Sequence, residues 1–425
     1  MRPLILPILL LFLTSPVSAQ NLKDAVRNGL CESPSVRKAV AEAEKSFHEI
    51  TETRADSKPQ LFLDSSAGAA YRDRSLDGLT TSSGETLLSR EVRFTVRQIL
   101  FDFGTNRLLG ESAELRNEFQ NLLIRDVKER QARLIAETYL EVYKLRLQSN
   151  SVKRHLSDLG DILDDARSLE AVDGREQSVL LEGRVISTKG NLAEIVARLR
   201  GLDHRFKLLT TMDCGGSMQL TKMPTCICDH VDFCDSPRVK AADLAIRVSE
   251  TNVIAARKDK LPKLYLEGRS GLGENVSGID GADNEWSALL TLRWSPYDGG
   301  KQNAVIAQNL AEVDKDIASK DDVLLSIKDT VGIAQAELDG AIERRAKLGD
   351  AHRKMREGIN LYQEKIDAGG KGITLLGLAN AHREALSVEL DSIDALVDSY
   401  IAAVRGLEAS GGLLKFLGLA AECCK

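Results

Sequence analysis

The sequence predicts a mostly helical fold with a small antiparallel β part. It is arranged as two tandem copies of one unit: helix, β-hairpin, long coiled-coil helical hairpin. A repeated corner predicts it first. Arg97-Gln98-Ile99-Leu100-Phe101-Asp102-Phe103-Gly104 is echoed by Arg293-Trp294-Ser295-Pro296-Tyr297-Asp298-Gly299-Gly300, with Arg97/Arg293, Asp102/Asp298 and Gly104/Gly300 all at an offset of 196 residues. A run of alternating apolar and polar residues precedes each corner, and a long proline-free tract follows it. A repeat with a fixed period fixes the architecture before any single element does.

In chain order, Arg2, the apolar run Leu4 to Leu13 and the small-residue site Val17-Ser18-Ala19 read as a secretory signal over residues 1–19. Its apolar run is shorter than a membrane span requires. The first repeat covers 20–213. Cys31-Glu32-Ser33-Pro34 matches Cys234-Asp235-Ser236-Pro237 at an offset of 203, and Pro59 matches Pro262 at the same offset. A helix is expected over 34–58 and again over 237–261, each stopped by the proline that follows, because its ring nitrogen cannot donate to the ladder. Strands are expected at about 60–71 and 91–100, then at about 263–271 and 285–295, with polar loops between them. Helical hairpins follow at about 105–202 and 301–407. They turn at Asp173-Gly174-Arg175 and at Gly369-Gly370-Lys371-Gly372, where glycine permits a left-handed helix end. Residues 214–234 form a cysteine-containing linker, and 235–425 the second repeat.

The strands have one apolar and one polar face, as a period of two requires. Val92, Phe94 and Val96 point one way, and Arg93, Thr95 and Arg97 the other. In the second copy Ala288, Leu290, Leu292 and Trp294 oppose Thr291 and Arg293. Many aromatics lie in or beside these strands, among them Phe62, Tyr71, Trp286 and Tyr297, as in the girdles of membrane barrels. On the helices, Val127, Ile135, Thr138, Val142 and Leu145 recur as Val323, Val331, Ala334, Leu338 and Ala341. Spacings of three and four mark a coiled-coil seam. Each long tract would reach roughly 100 Å if unbroken, although Gly110, Gly332 and Gly340 offer points at which shorter helices could separate.

Charged residues make up 28% of the chain and aromatics 4%, a balance that suits slender, exposed helices. The formal net charge is −6, becoming −7 once Arg2 leaves with the signal. With no basic block, nucleic acid is not expected as a partner. Seven cysteines in an exported chain point to disulfides, and Cys31, Cys214, Cys226, Cys228 and Cys234 are the candidates. The Cys226-Ile227-Cys228 spacing is too tight for a structural zinc pair. No catalytic constellation emerges, so neither an enzyme nor a cofactor is expected. Asp102 and Asp298, where strand meets helix, read as helix N-caps.

Together the paired repeats, the two corners, and the tip Ile366-Asp367-Ala368-Gly369 before Thr374-Leu375-Leu376 resemble the TolC-like outer-membrane efflux and secretion family over nearly all of the mature length. The Ala25–Pro34 opening with Cys31 is similar to the branch serving type I protein secretion. The resemblance implies a homotrimer with a 12-stranded barrel in outer-membrane lipid and a periplasmic α-helical tunnel. It implies a passive exit duct, served by a periplasmic adaptor and an inner-membrane ABC or proton-driven pump. Asp64, Arg93, Arg97, Glu267, Arg269 and Arg293 would face the barrel lumen. Asp173, Gly174, Arg175, Asp367, Gly369, Gly370, Lys371 and Thr374 would form the tips where the adaptor docks. Gly377 and Asn380 stand where relatives often carry a ring of acids. The rival expectation is a soluble periplasmic coiled-coil scaffold with no barrel.

Overall fold

A computed structural model describes residues 20–71, 86–168, 172–212, 218–220, 222–227, 236–368 and 374–419. The signal segment, Gly369, Gly370, Lys371, and Cys214, Cys228 and Cys234 lie outside these residues, as do the side chains of Asp173 and Gly174. The elements run β1 (Gln20–Asn21), α1 (Leu22–Glu32), α2 (Pro34–Ala55), β2 (Gln60–Tyr71), β3 (Thr86–Phe101), α3 (Thr105–Ser168) and α4 (Val172–Thr210). They continue with β4 (Met218–Gln219), α5 (Pro237–Lys258), β5 (Lys263–Glu274), β6 (Ala282–Arg293), α6 (Lys301–Asp367), α7 (Leu375–Ala409) and α8 (Leu413–Phe416).

The chain divides into two compact units, and each draws on both repeats. One holds Arg37–Asp126 and Pro237–Leu325; the other holds Met1–Val36, Val127–Ser236 and Ser326–Lys425. The first contains the four-stranded sheet, with strand order β2-β3-β5-β6 and every neighbour antiparallel. Around it α2, α5 and the first turns of α3 are tied by Ser112 donating to Asn252 at 2.8 Å and by the Arg54–Glu114 and Arg238–Asp126 pairs.

The second unit contains the larger apolar core. Ala132, Ile135, Ala136, Tyr139, Leu140 and Val142 of α3 meet Leu22 and Val26 of α1, Phe206 of α4, and Val404 and Leu407 of α7. The linker is pinned here. Gln20–Asn21 pairs in parallel with Met218–Gln219, and the Tyr139 hydroxyl donates to the Gln219 carbonyl at 2.9 Å while accepting from its N–H at 3.0 Å. Ile227, fully buried, fills the space that Gly406 leaves open beside Ala334. A second cluster joins Leu159, Ile162 and Leu163 of α3 to Leu181 of α4, Ile359 of α6 and Leu378 of α7.

The helical tracts are continuous: α3 has 64 residues and α6 has 67, with Gly110, Gly332 and Gly340 inside them. One glycine costs a helix only about 1 kcal/mol, too little to break a run this long. Ile135, Thr138, Val142 and Leu145 are buried, as are Val331, Ala334, Leu338 and Ala341, while Val127 and Val323 are half-buried.

Several boundaries differ from the expectation. α2 and α5 stop three residues before the predicted ends, at Ala55 and Lys258. The residues just before each proline turn instead, Lys58 donating to Ala55 and Leu261 to Lys258, because proline also restricts what precedes it. β3 starts at Thr86 rather than 91, β5 reaches Glu274, and β6 starts at Ala282. Residues 86–90, 272–274 and 282–284, expected to be loop, are strand, because backbone pairing needs no apolar side chain. Asn275, at φ 54°, closes the β5–β6 turn: its side chain accepts from Gly281 N–H and donates to the Leu88 carbonyl. β6 ends at Arg293, so Trp294 and Ser295 lie beyond it, ahead of Pro296.

Candidate channel-forming sheet

The sheet is inside out. A soluble sheet hides its apolar face and wets its polar one. Here Leu61, Leu63, Val92, Phe94, Leu266, Leu290 and Leu292 share a face, and all are exposed; Trp286 beside them is 84% exposed. The opposite face carries the charge and is the better shielded. In β3 exposure alternates residue by residue from Thr86 to Arg97, with Leu88, Val92, Phe94 and Val96 among the exposed positions and Glu91, Arg93, Thr95 and Arg97 among the half-buried ones.

Register places all six expected charged residues on that second face. Asp64 lies across from Arg93, Arg97 across from Glu267, Thr95 across from Arg269, and Lys263 across from Arg293. Glu267, only 5% exposed, is the hub: its carboxylate lies 3.2 Å from Arg97 and 3.5 Å from Arg269. Arg93 pairs with Glu91 along its own strand, and the Arg293 guanidinium lies 5.1 Å from the Tyr265 ring centroid. Such a cation over an aromatic face is held by the ring quadrupole. Asp64 with Arg93 and Arg97 with Glu267 set opposite charges across the strands, a favourable cross-strand pairing, whereas Lys263 and Arg293 are like charges facing each other.

Among the described residues both edges of the sheet are open. β2 and β6 are 12 residues each, and each has a neighbour on one side only. With four strands alternating in direction, β6 of one copy runs antiparallel to β2 of the next. Identical copies can therefore continue the ladder without a parallel junction. An unpaired edge in lipid would leave a row of costly backbone groups.

The two corners are built alike, as the repeat implied. Asp102 accepts from the Gly104 N–H at 2.9 Å and the Asn106 N–H at 2.8 Å; Asp298 accepts from the Gly300 N–H at 3.0 Å and the Gln302 N–H at 2.8 Å. Both aspartates cap the helix that follows. Phe103 and Gly104 have φ of 56° and 82°, and Gly299 and Gly300 have 71° and 91°. The corner thus needs two consecutive left-handed residues, and glycine supplies three of the four. The backbone N–H of Gln302, then that of Gly300, with Lys260 nearby, hold the Asp298 carboxyl below its ordinary pKa.

At the helix ends, α4 begins at Val172, so Asp173-Gly174-Arg175 is its first turn rather than the expected break between helices; Arg175 is exposed there, and Asp367 is the exposed last residue of α6. Thr374 caps α7, accepting from the Gly377 N–H at 3.0 Å. Cys31 is disulfide-bonded, as expected of an exported chain. Cys226 is not: it is a free, half-exposed thiol. Its neighbour Ile227 and nearby Met223 are buried. Sequence spacing did not bring any histidines together, yet the structure does: His155 and His382 have ring centroids 6.4 Å apart, and His352 lines the same cleft.

Comparison with known proteins fits this sheet. Residues 233–412 match the family model described as outer membrane efflux protein. Outer membrane protein OprJ of Pseudomonas aeruginosa is 26% identical to the chain over 178 residues, 41% of this chain and 37% of that protein. Among solved structures, a Pseudomonas aeruginosa membrane protein superposes with a TM-score of 0.80 at 19% identity, covering 92% of this chain and 90% of its own. The Campylobacter jejuni CmeC outer membrane channel gives 0.78 at 14% identity, covering 93% and 87%. The open-state MtrE outer membrane channel of Neisseria gonorrhoeae gives 0.77 at 18%, covering 92% and 89%. The likeness of fold to these structures therefore extends beyond residues 233–412 over nearly the whole chain.

Proposed function

We propose that the chain is the outer-membrane exit channel of an efflux system. The carrying observation is the inverted sheet: a bare apolar face, a charged face better shielded along its two inner strands, and two open edges of matching sense. The apolar face sits in outer-membrane lipid, and the edges close against sister copies. Three copies give 12 strands, a number that comes from the family resemblance. The charged face, with Asp64, Arg93, Arg97, Glu267, Arg269 and Arg293, then lines a wet lumen, as polar interiors do in barrels.

Transport through such a duct is passive. An inner-membrane pump of ABC or proton-driven type supplies the energy, and a periplasmic adaptor connects pump and duct. The adaptor docks at the helical tips: Asp173, Gly174 and Arg175 on one hairpin, and Asp367, Gly369, Gly370, Lys371 and Thr374 on the other. The type I secretion branch suggested by the Cys31 opening shares this architecture, but the efflux description of the matched domain favours efflux.

Purified protein reconstituted in planar bilayers tests the reading directly. Stepwise conductance is the expected result. Recovery of folded protein in the soluble fraction without detergent, with no conductance, supports the coiled-coil scaffold instead.

A further inference from the structure

The channel reading makes no use of two arginines that share one cleft. Arg184 of α4 and Arg383 of α7 line a cleft of about 320 Å³, together with His155, Ser187, Thr188 and Asn191. No carboxylate lines it. Among the described residues neither guanidinium has an ion-pair partner, and Nη1 of Arg184 is buried with no hydrogen-bond partner. The other walls of the cleft are apolar side chains of α3, α4 and α7. Burial, then the nearby Arg383 charge, lowers the Arg184 pKa from its ordinary value.

Several arginines of the neighbouring helices do have acidic partners. Arg154 bonds Glu389, Arg167 bonds Glu182, and Arg344 is flanked by Asp391 and Asp398. In this cleft Arg184 is half-buried and Arg383 exposed, and the two like charges have no counter-charge among its lining residues. Guanidinium groups bind carboxylate and phosphate oxygens with paired, charge-assisted hydrogen bonds. The neighbouring hydroxyls and amide are neutral donors suited to the same oxygens.

We infer that the Arg184–Arg383 cleft is a binding site for an oxyanion group of carboxylate or phosphate type. The group is either a free anion or a carboxylate carried by a second copy of this chain. The two sources share one chemistry and separate by experiment. Removing two like charges relieves repulsion, so the R184Q/R383Q variant is expected to fold.

The full chain in detergent is titrated with sodium phosphate at constant ionic strength, by calorimetry, and its oligomeric state is measured by sedimentation. Saturable phosphate binding that weakens at least tenfold in R184Q/R383Q, and not in the exposed-arginine control R353Q, supports the site and assigns it to a free anion. A tenfold loss corresponds to one charge-assisted hydrogen bond of about 1.4 kcal/mol. No phosphate binding, with oligomer dissociation at least tenfold greater in R184Q/R383Q and restored in R184K/R383K, supports the site and assigns it to a second copy. Phosphate binding undiminished in R184Q/R383Q, or no phosphate binding with an unchanged oligomer, overturns the inference.

Discussion

Replacing Phe94 by arginine separates a lipid-facing sheet from a soluble one. Phe94 lies near the middle of β3, on the apolar face, between Leu63 on β2 and Ser270 on β5, with Trp286 opposite Ser270 on β6. It is 48% exposed. In water, trading a half-exposed phenylalanine for arginine changes stability by about 0.5 kcal/mol in either direction. On the lipid face of a barrel, arginine near the bilayer midplane costs about 2–4 kcal/mol. That is roughly 30- to 1000-fold in the folding equilibrium per copy, and every copy in the assembly carries it. Thr95→Arg, one residue along, points to the charged face beside Arg269 and is the internal control. Urea titration of protein folded into lipid vesicles reads both variants. The expected order is a loss of at least 2 kcal/mol for Phe94→Arg, with Thr95→Arg close to the parent. Equal stability of Phe94→Arg and the parent in vesicles would refute the lipid-facing assignment.

Three further outcomes follow from the geometry. Gly406→Ala places a Cβ 2.6 Å from Ile227 Cδ1 and 3.2 Å from Ala334 Cβ, so denaturant titration should show a loss of about 1–3 kcal/mol from overpacking, partly recovered by adding Ile227→Val. The Asp298 carboxyl is held below its ordinary pKa, so its capping contribution is complete above the ordinary carboxylate range and fades as pH falls through the lower folded value; Asp298→Asn should flatten stability against pH below about pH 4, and an unchanged acid profile would count against the cap. Without reductant, a maleimide should label the free Cys226 and leave Cys31 untouched until the protein is reduced and unfolded; mass spectrometry of the peptides decides it.

The sequence alone determined the repeat, the two corners, the strand faces and the helix seams. Each is a local pattern: period two for Phe94 and its neighbours, spacings of three and four for Ile135 and Val331, an aspartate two residues before a glycine for the caps. Strand ends and helix ends were read less well, because they depend on turns such as the one Asn275 closes and on the reach of Pro59 and Pro262 back along the chain. Only the tertiary structure decided which sheet face is bare. Alternation distinguishes two faces without saying which is covered, and here the covered one holds Glu267 between Arg97 and Arg269. Tertiary structure likewise decided that Cys226 stays a free thiol beside the buried Ile227, and the meeting of Arg184 with Arg383. Those arginines lie 199 residues apart on different helices, and no local pattern encodes a contact that long-range packing creates.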